Sequence, residues 1–391
     1  MHSSSPLTVF LVFLRLGLTS FGGPVAHLGY FRSEFVERRR WLDEATFADL
    51  IALSQFLPGP ASSQVGIAIG TMRAGLLGGL AAWLGFTLPS ALLMIGFAYG
   101  VSVIGDPASG CLHGLKLVVV AVVAQAVWQM GQRLCPDRLR VSMAILAALV
   151  LLIWSDALVQ LVVIGLGGLV GWRLLRLPVP GGLVVASPIR PRTGFAFAVM
   201  FVILLVGAGL LAPLSDNATL RFLAGMVRTG SLVFGGGHVV LPLLAPVVVG
   251  TGLMSAETFI AGYGAAQAVP GPLLSFSAYL GAVAAVSPGG WLGGMLALIA
   301  IFIPSFLLIW AALPFWAALR VQPVAQSVLA GVNAAVVGIL LAALYQPVIT
   351  SAIRGPTDVA LALGAFAALH VWRLPPLVVV VACAAIGAIV C

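Results

Sequence analysis

Arg15-Leu16-Gly17-Leu18-Thr19-Ser20-Phe21-Gly22-Gly23-Pro24 returns in outline as Arg228-Thr229-Gly230-Ser231-Leu232-Val233-Phe234-Gly235-Gly236-Gly237, at an offset of 213 residues. Arginine, glycine and Phe-Gly-Gly keep their register. Each copy sets an arginine inside an apolar segment and then interrupts that segment with backbone that resists helix formation. A charge in such a place is costly and marks either a paired structural residue or a functional one.

The surroundings make the segment a membrane one. Hydrophobic residues are 61% of the 391 and charged residues 8%, against about a quarter charged in soluble domains, and the mean hydropathy is +1.15. The chain reads as an all-α polytopic membrane protein. The 19 Lys and Arg sit between apolar runs, where they act as an orientation signal rather than a nucleic-acid surface. The first apolar run holds Arg15 and lacks a small-residue cleavage site, which argues against a removable signal peptide. Cys111, Cys135, Cys383 and Cys391 form no CxxC pair and no metal-ligand spacing, so no metal or cofactor is expected.

The echo extends along the chain. Thr46-Phe47 pairs with Thr258-Phe259, Gln55 with Gln267, and Pro58-Gly59-Pro60 with Pro270-Gly271-Pro272, all at 212; Pro89-Ser90 pairs with Pro304-Ser305 at 215, and Gly114 with Gly331. A slowly drifting offset is the mark of a duplicated unit with altered loops. Six apolar runs fall in each copy and one, at 194 to 213, has no counterpart. An odd number of crossings between the copies inverts the second. The expected organisation is an N-terminal repeat over 1–177, a connector and linking helix over 178–213, and an inverted C-terminal repeat over 214–391.

Charge placement refines this. If every run crosses, Arg32 and Arg38 to Arg40 fall on the opposite side from most other arginines. If instead the first two runs of each repeat enter and return on one side, hinging at Phe-Gly-Gly and Pro-Gly-Pro, those four join Arg73, Arg133, Arg138, Arg140, Arg173, Arg176, Arg190, Arg192, Arg320 and Arg373. Arg221 and Arg354 then remain opposite. The positive-inside bias favours this re-entrant arrangement, which is admissible where protein or water covers the broken backbone.

Candidate site residues follow from the duplicated breaks. Arg15 and Arg228 have no sequence-local carboxylate; snorkelling is the bland reading, and holding an external anion the sharp one. Gly22-Gly23-Pro24 and Gly235-Gly236-Gly237, following Phe21 and Phe234, are close-packing positions or helix breaks whose N–H groups face an anion. Pro58, Gly59 and Pro60 with Ser62 and Ser63, and Pro270, Gly271 and Pro272 with Ser275, form a second pair of breaks with hydroxyl donors. Gln55 and Gln267 are matched polar residues. His27 and His238 are packing residues or carriers of a coupled proton. Glu34, Glu37, Asp43 and Glu44 read as a salt-bridged face among arginines, and Lys116 as a snorkelling residue. No enzyme constellation is present.

Phe21-Gly22-Gly23-Pro24-Val25-Ala26-His27 with the basic loop Arg32 to Trp41, Gln55 to Pro60, Phe234 to His238, and Gln267 to Pro272 resemble the chromate ion transporter family in its long-chain, two-domain form. The resemblance implies a multi-pass carrier of the bacterial inner membrane that expels chromate by using the proton motive force. The residues themselves point to an inverted-repeat transporter of a tetrahedral oxyanion. Sulfate shares that shape and charge, and a passive anion channel or a membrane enzyme or lipid-handling protein stays open as well. A homo-oligomer is compatible with the chain.

Overall fold

The computed structural model describes residues 4–104, 109–154, 157–176, 187–211, 214–234 and 237–390. Among these the chain is helical without strands. In order the helices are α1 Pro6–Thr19, α2 Gly23–Arg32, α3 Glu44–Phe56, α4 Ala61–Ile104, α5 Ser109–Leu134, α6 Arg138–Ile153, α7 Ala157–Leu174, α8 Pro191–Val206, α9 Ala218–Leu232, α10 Val240–Val248, α11 Ala256–Ala268, α12 Phe276–Val283, α13 Gly290–Ala312, α14 Trp316–Leu319, α15 Pro323–Ala343, α16 Thr350–Ala352, α17 Pro356–His370 and α18 Pro376–Val390.

Length separates two kinds of helix. Spans at 61–100, 110–134, 191–210, 290–319 and 323–352 are long and apolar enough to cross a bilayer, although α4 is really two helices, broken at Ala74 and Gly75 by non-helical backbone. By contrast α1, α3, α9 and α11 have 14, 13, 15 and 13 residues, about 20 Å each at 1.5 Å per residue, against a hydrocarbon core of about 30 Å.

Contacts show where these half-helices start and stop. The N–H of Ser4 donates to the Arg73 carbonyl at 3.2 Å, Arg73 Nη2 donates to Ser4 Oγ at 3.0 Å, and the Arg73 guanidinium lies 5.0 Å from the Trp41 ring. The start of α1, the loop after α2 and the tip of the α4 hairpin therefore share one end of the bundle. The four acidic residues of the loop region serve it: Glu34 pairs with Arg38 and Arg39, Glu37 and Glu44 pair with Arg32, and Asp43 caps α3 through the Thr46 N–H. At the opposite end Thr219 donates to the Ser287 carbonyl, and the Ala285 N–H donates to Leu253 O at 3.1 Å. Leu253 and Ala285 are the residues 212 beyond Trp41 and Arg73. Asn217 caps α9 and Ser255 caps α11, as Ser5 and Asp43 cap α1 and α3. Polar capping residues hold the outer ends, and glycine and proline stop the helices within the bundle.

The inner ends are tied together. The Gly59 N–H donates to the Val233 carbonyl at 2.6 Å, and the Gly271 N–H donates to the Ser20 carbonyl at 2.9 Å. Each proline-flanked glycine thus hydrogen-bonds the broken end of the first helix in the other half. Gly59 has φ +132° and Gly271 φ +99°, conformations that a side chain disfavours. A Cβ on Gly59 would also stand 3.0 Å from Ser305 Oγ, and one on Gly271 3.0 Å from Ser90 Oγ, the two serines that echo each other in sequence.

The remaining helices interlock. α5 packs on α17 and α18, and α15 packs on α6 and α7, with Gly114 against the Cys383–Ala384 backbone and Gly331 against Gly171. Small residues let these backbones close up where lipid provides no hydrophobic drive for helix association. α8 lies on the outside, with Phe197 5.1 Å from Trp310 of α13.

Replacing Gly59 or Gly271 by alanine should lower the stability of the full-length protein in detergent by about 1–3 kcal/mol each, from backbone strain and displacement of the cross-half hydrogen bond. Thermal unfolding measures this; a melting temperature equal to wild type in both variants would contradict the assignment.

Candidate functional site

A cavity of about 1000 Å³ runs into the bundle from the end that carries Arg133, Arg140 and Arg320. Val122 and Arg133 both line it along α5, which places its floor about 16 Å below its rim at 1.5 Å per residue, near mid-membrane depth.

The floor is made by the broken segments. Gly22, Gly23 and Pro24 at the start of α2, Gln55 at the end of α3, Gly59, and Ala61 at the start of α4 come from the first half; Gly237, His238 and Gln267 come from the second. Gly22 takes a left-handed φ of +99°, which turns the chain so that α2 begins there. The N-termini of α2 and α4 direct positive dipole ends and unsatisfied N–H groups at this space, while α3 and α11 end there with carbonyls. Such a floor offers hydrogen-bond donors to an anion and acceptors to a proton. The His238 ring nitrogen Nδ1 lies 2.9 Å from the Tyr263 hydroxyl. Asn333 Oδ1 is buried without a hydrogen-bond partner among the described residues, a polar group that calls for water or a ligand.

Other expected site residues lie elsewhere. Arg15 is exposed on the outside of α1 and Arg228 is half-buried on α9; neither lines the cavity. The Gly59 and Gly271 N–H groups serve the cross-half carbonyls described above and are not free for a ligand. His27 is buried, 3.2 Å from Ser62 Oγ and edge-on to Phe86. Ser63 and Ser275 are buried away from the cavity, as are Pro60, Pro270 and Pro272, while Phe21, Pro58 and Phe234 are half-buried and do not line it. Gly235 and Gly236 lie outside the described residues.

The walls add residues that the duplicated motifs did not reveal. Gln125, Gln129 and Arg133 form one stripe on α5, at the four-residue spacing that places side chains on one helix face. Gln326 and Asn333 of α15 line the cavity as well, and Arg320 pairs with Asp49 at 2.5 Å. Arg140 pairs with Asp137 at 2.6 Å; the Arg140 backbone N–H first, and its guanidinium as well, hold the Asp137 carboxyl below its ordinary range, so that pair stays neutral overall. Arg133 has no ion-pair partner among the described residues and is the uncompensated cation of the rim. Among the described residues no group of three or more His, Cys, Asp or Glu could hold a metal ion.

Comparison with known proteins finds one family along most of the chain, matched in two parts. The sequence profile of the family described as "Chromate transporter" matches residues 7–172 and 220–388, leaving α8 between the two matches. The chain is 30% identical to the chromate transport protein of Pseudomonas aeruginosa, over 96% of this chain and 90% of that one. It is 26% identical to a probable chromate transport protein of Synechococcus elongatus, over 97% and 94%, and 25% identical to the chromate transport protein of Cupriavidus metallidurans, over 90% and 84%. No solved structure matches the chain. With most of its length matched in two blocks, and with residues of both blocks on the floor of one cavity, this multi-pass membrane protein is a member of the chromate transporter family.

Proposed function

We propose that the protein is a secondary carrier that exports chromate from the bacterial cytoplasm across the inner membrane, coupled to the proton motive force. The observation that carries this reading is the cavity itself: a water-accessible space, rimmed by Arg133, whose floor collects helix N-termini and amide side chains from both halves. A tetrahedral dianion suits preorganised N–H donors and a cation at the rim better than a neutral solute does.

Orientation follows from charge. Arg73, the arginines of the 32–40 loop, Arg133, Arg140 and Arg320 all lie toward the end on which the cavity opens, and the positive-inside bias puts that end in the cytoplasm. The cavity is then an inward-open site, and export requires it to close there and open opposite. The domain plan that supports such a movement is an inverted pair, 1–177 and 214–391, with 178–213 linking them. The paired contacts Gly59 to Val233 and Gly271 to Ser20 support it, as does the two-block family match. Proton coupling has its candidate in His238 on the floor, beside Tyr263.

The reading moves the anion's cation from Arg15 and Arg228 to Arg133, and the two assignments separate in one assay. In everted vesicles with an imposed proton gradient, chromate uptake should saturate, fall when the gradient is collapsed at fixed membrane potential, and be competed by sulfate if selectivity is by shape and charge. Arg133→Gln should raise the half-saturating chromate concentration about tenfold, the worth of one charge-assisted contact, while Arg15→Gln leaves it near wild type. The reverse pattern would return the role to Arg15. Flux that ignores the proton gradient would make the protein a channel.

His238→Phe removes the ring nitrogens while keeping an aromatic of similar volume. It should leave chromate exchange down a concentration gradient measurable and abolish its response to an imposed pH difference; a response equal to wild type would exclude His238 as the coupling residue.

A further inference from the structure

The two halves are not arranged alike around the cavity. At the open end α3 and α15 form facing walls, with Ala45, Ala48 and Ala52 on one and Leu329, Ala330 and Asn333 on the other. The corresponding helices at the opposite end are α11 and α5, at offsets of 212 and 217, and these are in contact. A Cβ on Gly264, the counterpart of Ala52, would meet the Leu115 carbonyl at 2.6 Å and Val119 at 3.2 Å. Glu257 and Lys116 stand where Ala45 and Asn333 stand below, and Lys116 Nζ lies 3.6 Å from Glu257 Oε1.

Lys116 does not snorkel. Its side chain is 4% exposed while that of Glu257 is 62% exposed, so the carboxylate paired with this buried ammonium is one that water largely solvates, with Asp358 as a second carboxylate acting on it. Around it, Arg354 also reaches Glu257 at 3.2 Å, the Arg354 N–H donates to Asp358 at 2.8 Å, and His113 Nε2 lies 2.9 Å from the other Asp358 oxygen. A partly exposed pair is a weak fastener, and because a buried cation left unpaired is costly, Lys116 can give up Glu257 only to another anion that takes its place.

We infer that α5 and α11 close a second oxyanion path, equivalent to the open cavity but leading to the other side of the membrane, in which Lys116 is the cation that receives the departing anion and Glu257 is the latch. This rests on the carrier reading above. α5 then carries a cation toward each end, Arg133 for the open path and Lys116 for the closed one, whereas their counterparts on the other half are Thr350 and Asn333. When the dianion reaches Lys116 it takes the place of Glu257, and the differential contact shifts the closure equilibrium.

The test uses the full-length chain with Cys111, Cys135, Cys383 and Cys391 replaced by alanine and one reporter cysteine at a time. Leu112→Cys is probed in intact cells with a membrane-impermeant thiol reagent, and Ala330→Cys in everted vesicles. Glu257→Gln should raise Leu112→Cys labelling about fivefold and lower Ala330→Cys labelling, whereas Glu257→Asp should stay near wild type. The reciprocal loss at Ala330 is what mere loosening would not produce, and its absence, or unchanged labelling at Leu112, overturns the path. External chromate should slow Leu112→Cys labelling in the Glu257→Gln chain, and Lys116→Gln should remove that protection; protection that persists overturns the role of Lys116. Wild-type chromate flux in the same vesicles separates the two claims. Unchanged labelling with intact flux removes the second path alone, and shifted labelling without flux supports the path and removes the chromate carrier.

Discussion

Backbone that leaves its helix inside a bilayer has to find hydrogen-bond partners in protein, because hydrocarbon supplies none. The pair of bonds from Gly59 N–H to Val233 O and from Gly271 N–H to Ser20 O answers this demand, and the rest of the arrangement depends on it. Each bond satisfies a break in one half with a break in the other. Both turns use the positive φ that glycine alone accepts cheaply.

Once the half-helices meet there, a floor for a solute follows. Helices of 13 to 15 residues end at mid-depth, and the next helices begin there, so helix termini with unsatisfied groups collect at one level. Ala45, Ala48 and Ala52 leave room between α3 and α15, and water-accessible polar side chains of α5 fill the wall. At the other end α5 and α11 are in contact, with Gly264 against the Leu115 carbonyl. On the carrier reading proposed above, such unequal packing at the two ends is what a carrier caught on one side would show.

Much of this was legible in the residues. The breaks at Gly22-Gly23 and Pro58-Gly59-Pro60, their echoes, and the return of the 32–40 loop to the side of Arg73 are all readable from glycine, proline and arginine placement. The participation of Gly22, Gly23, Pro24, Gln55, Gly59, Gly237, His238 and Gln267 in one cavity matches where the breaks were. What escaped was side-chain direction. Arg15 shares its segment with the break but not its face, since five residues before Ser20 on a helix of 3.6 residues per turn it points outward. Ser62 turns to His27 and Gly59 to a carbonyl, so chemically suitable donors serve the fold. Gln125, Gln129 and Arg133 carry a visible four-residue stripe, but they are not duplicated, so the repeated motifs do not point to them.

The central claim is that two broken halves make one oxyanion site rather than two. Equilibrium binding of labelled chromate to the purified full-length protein tests it most directly, with Gln55→Ala in the first half and Gln267→Ala in the second. The account predicts one chromate per chain, with affinity weakened about tenfold by either substitution and the two effects together less than additive in free energy. Two equivalents per chain, each sensitive to only one of the substitutions, would contradict it.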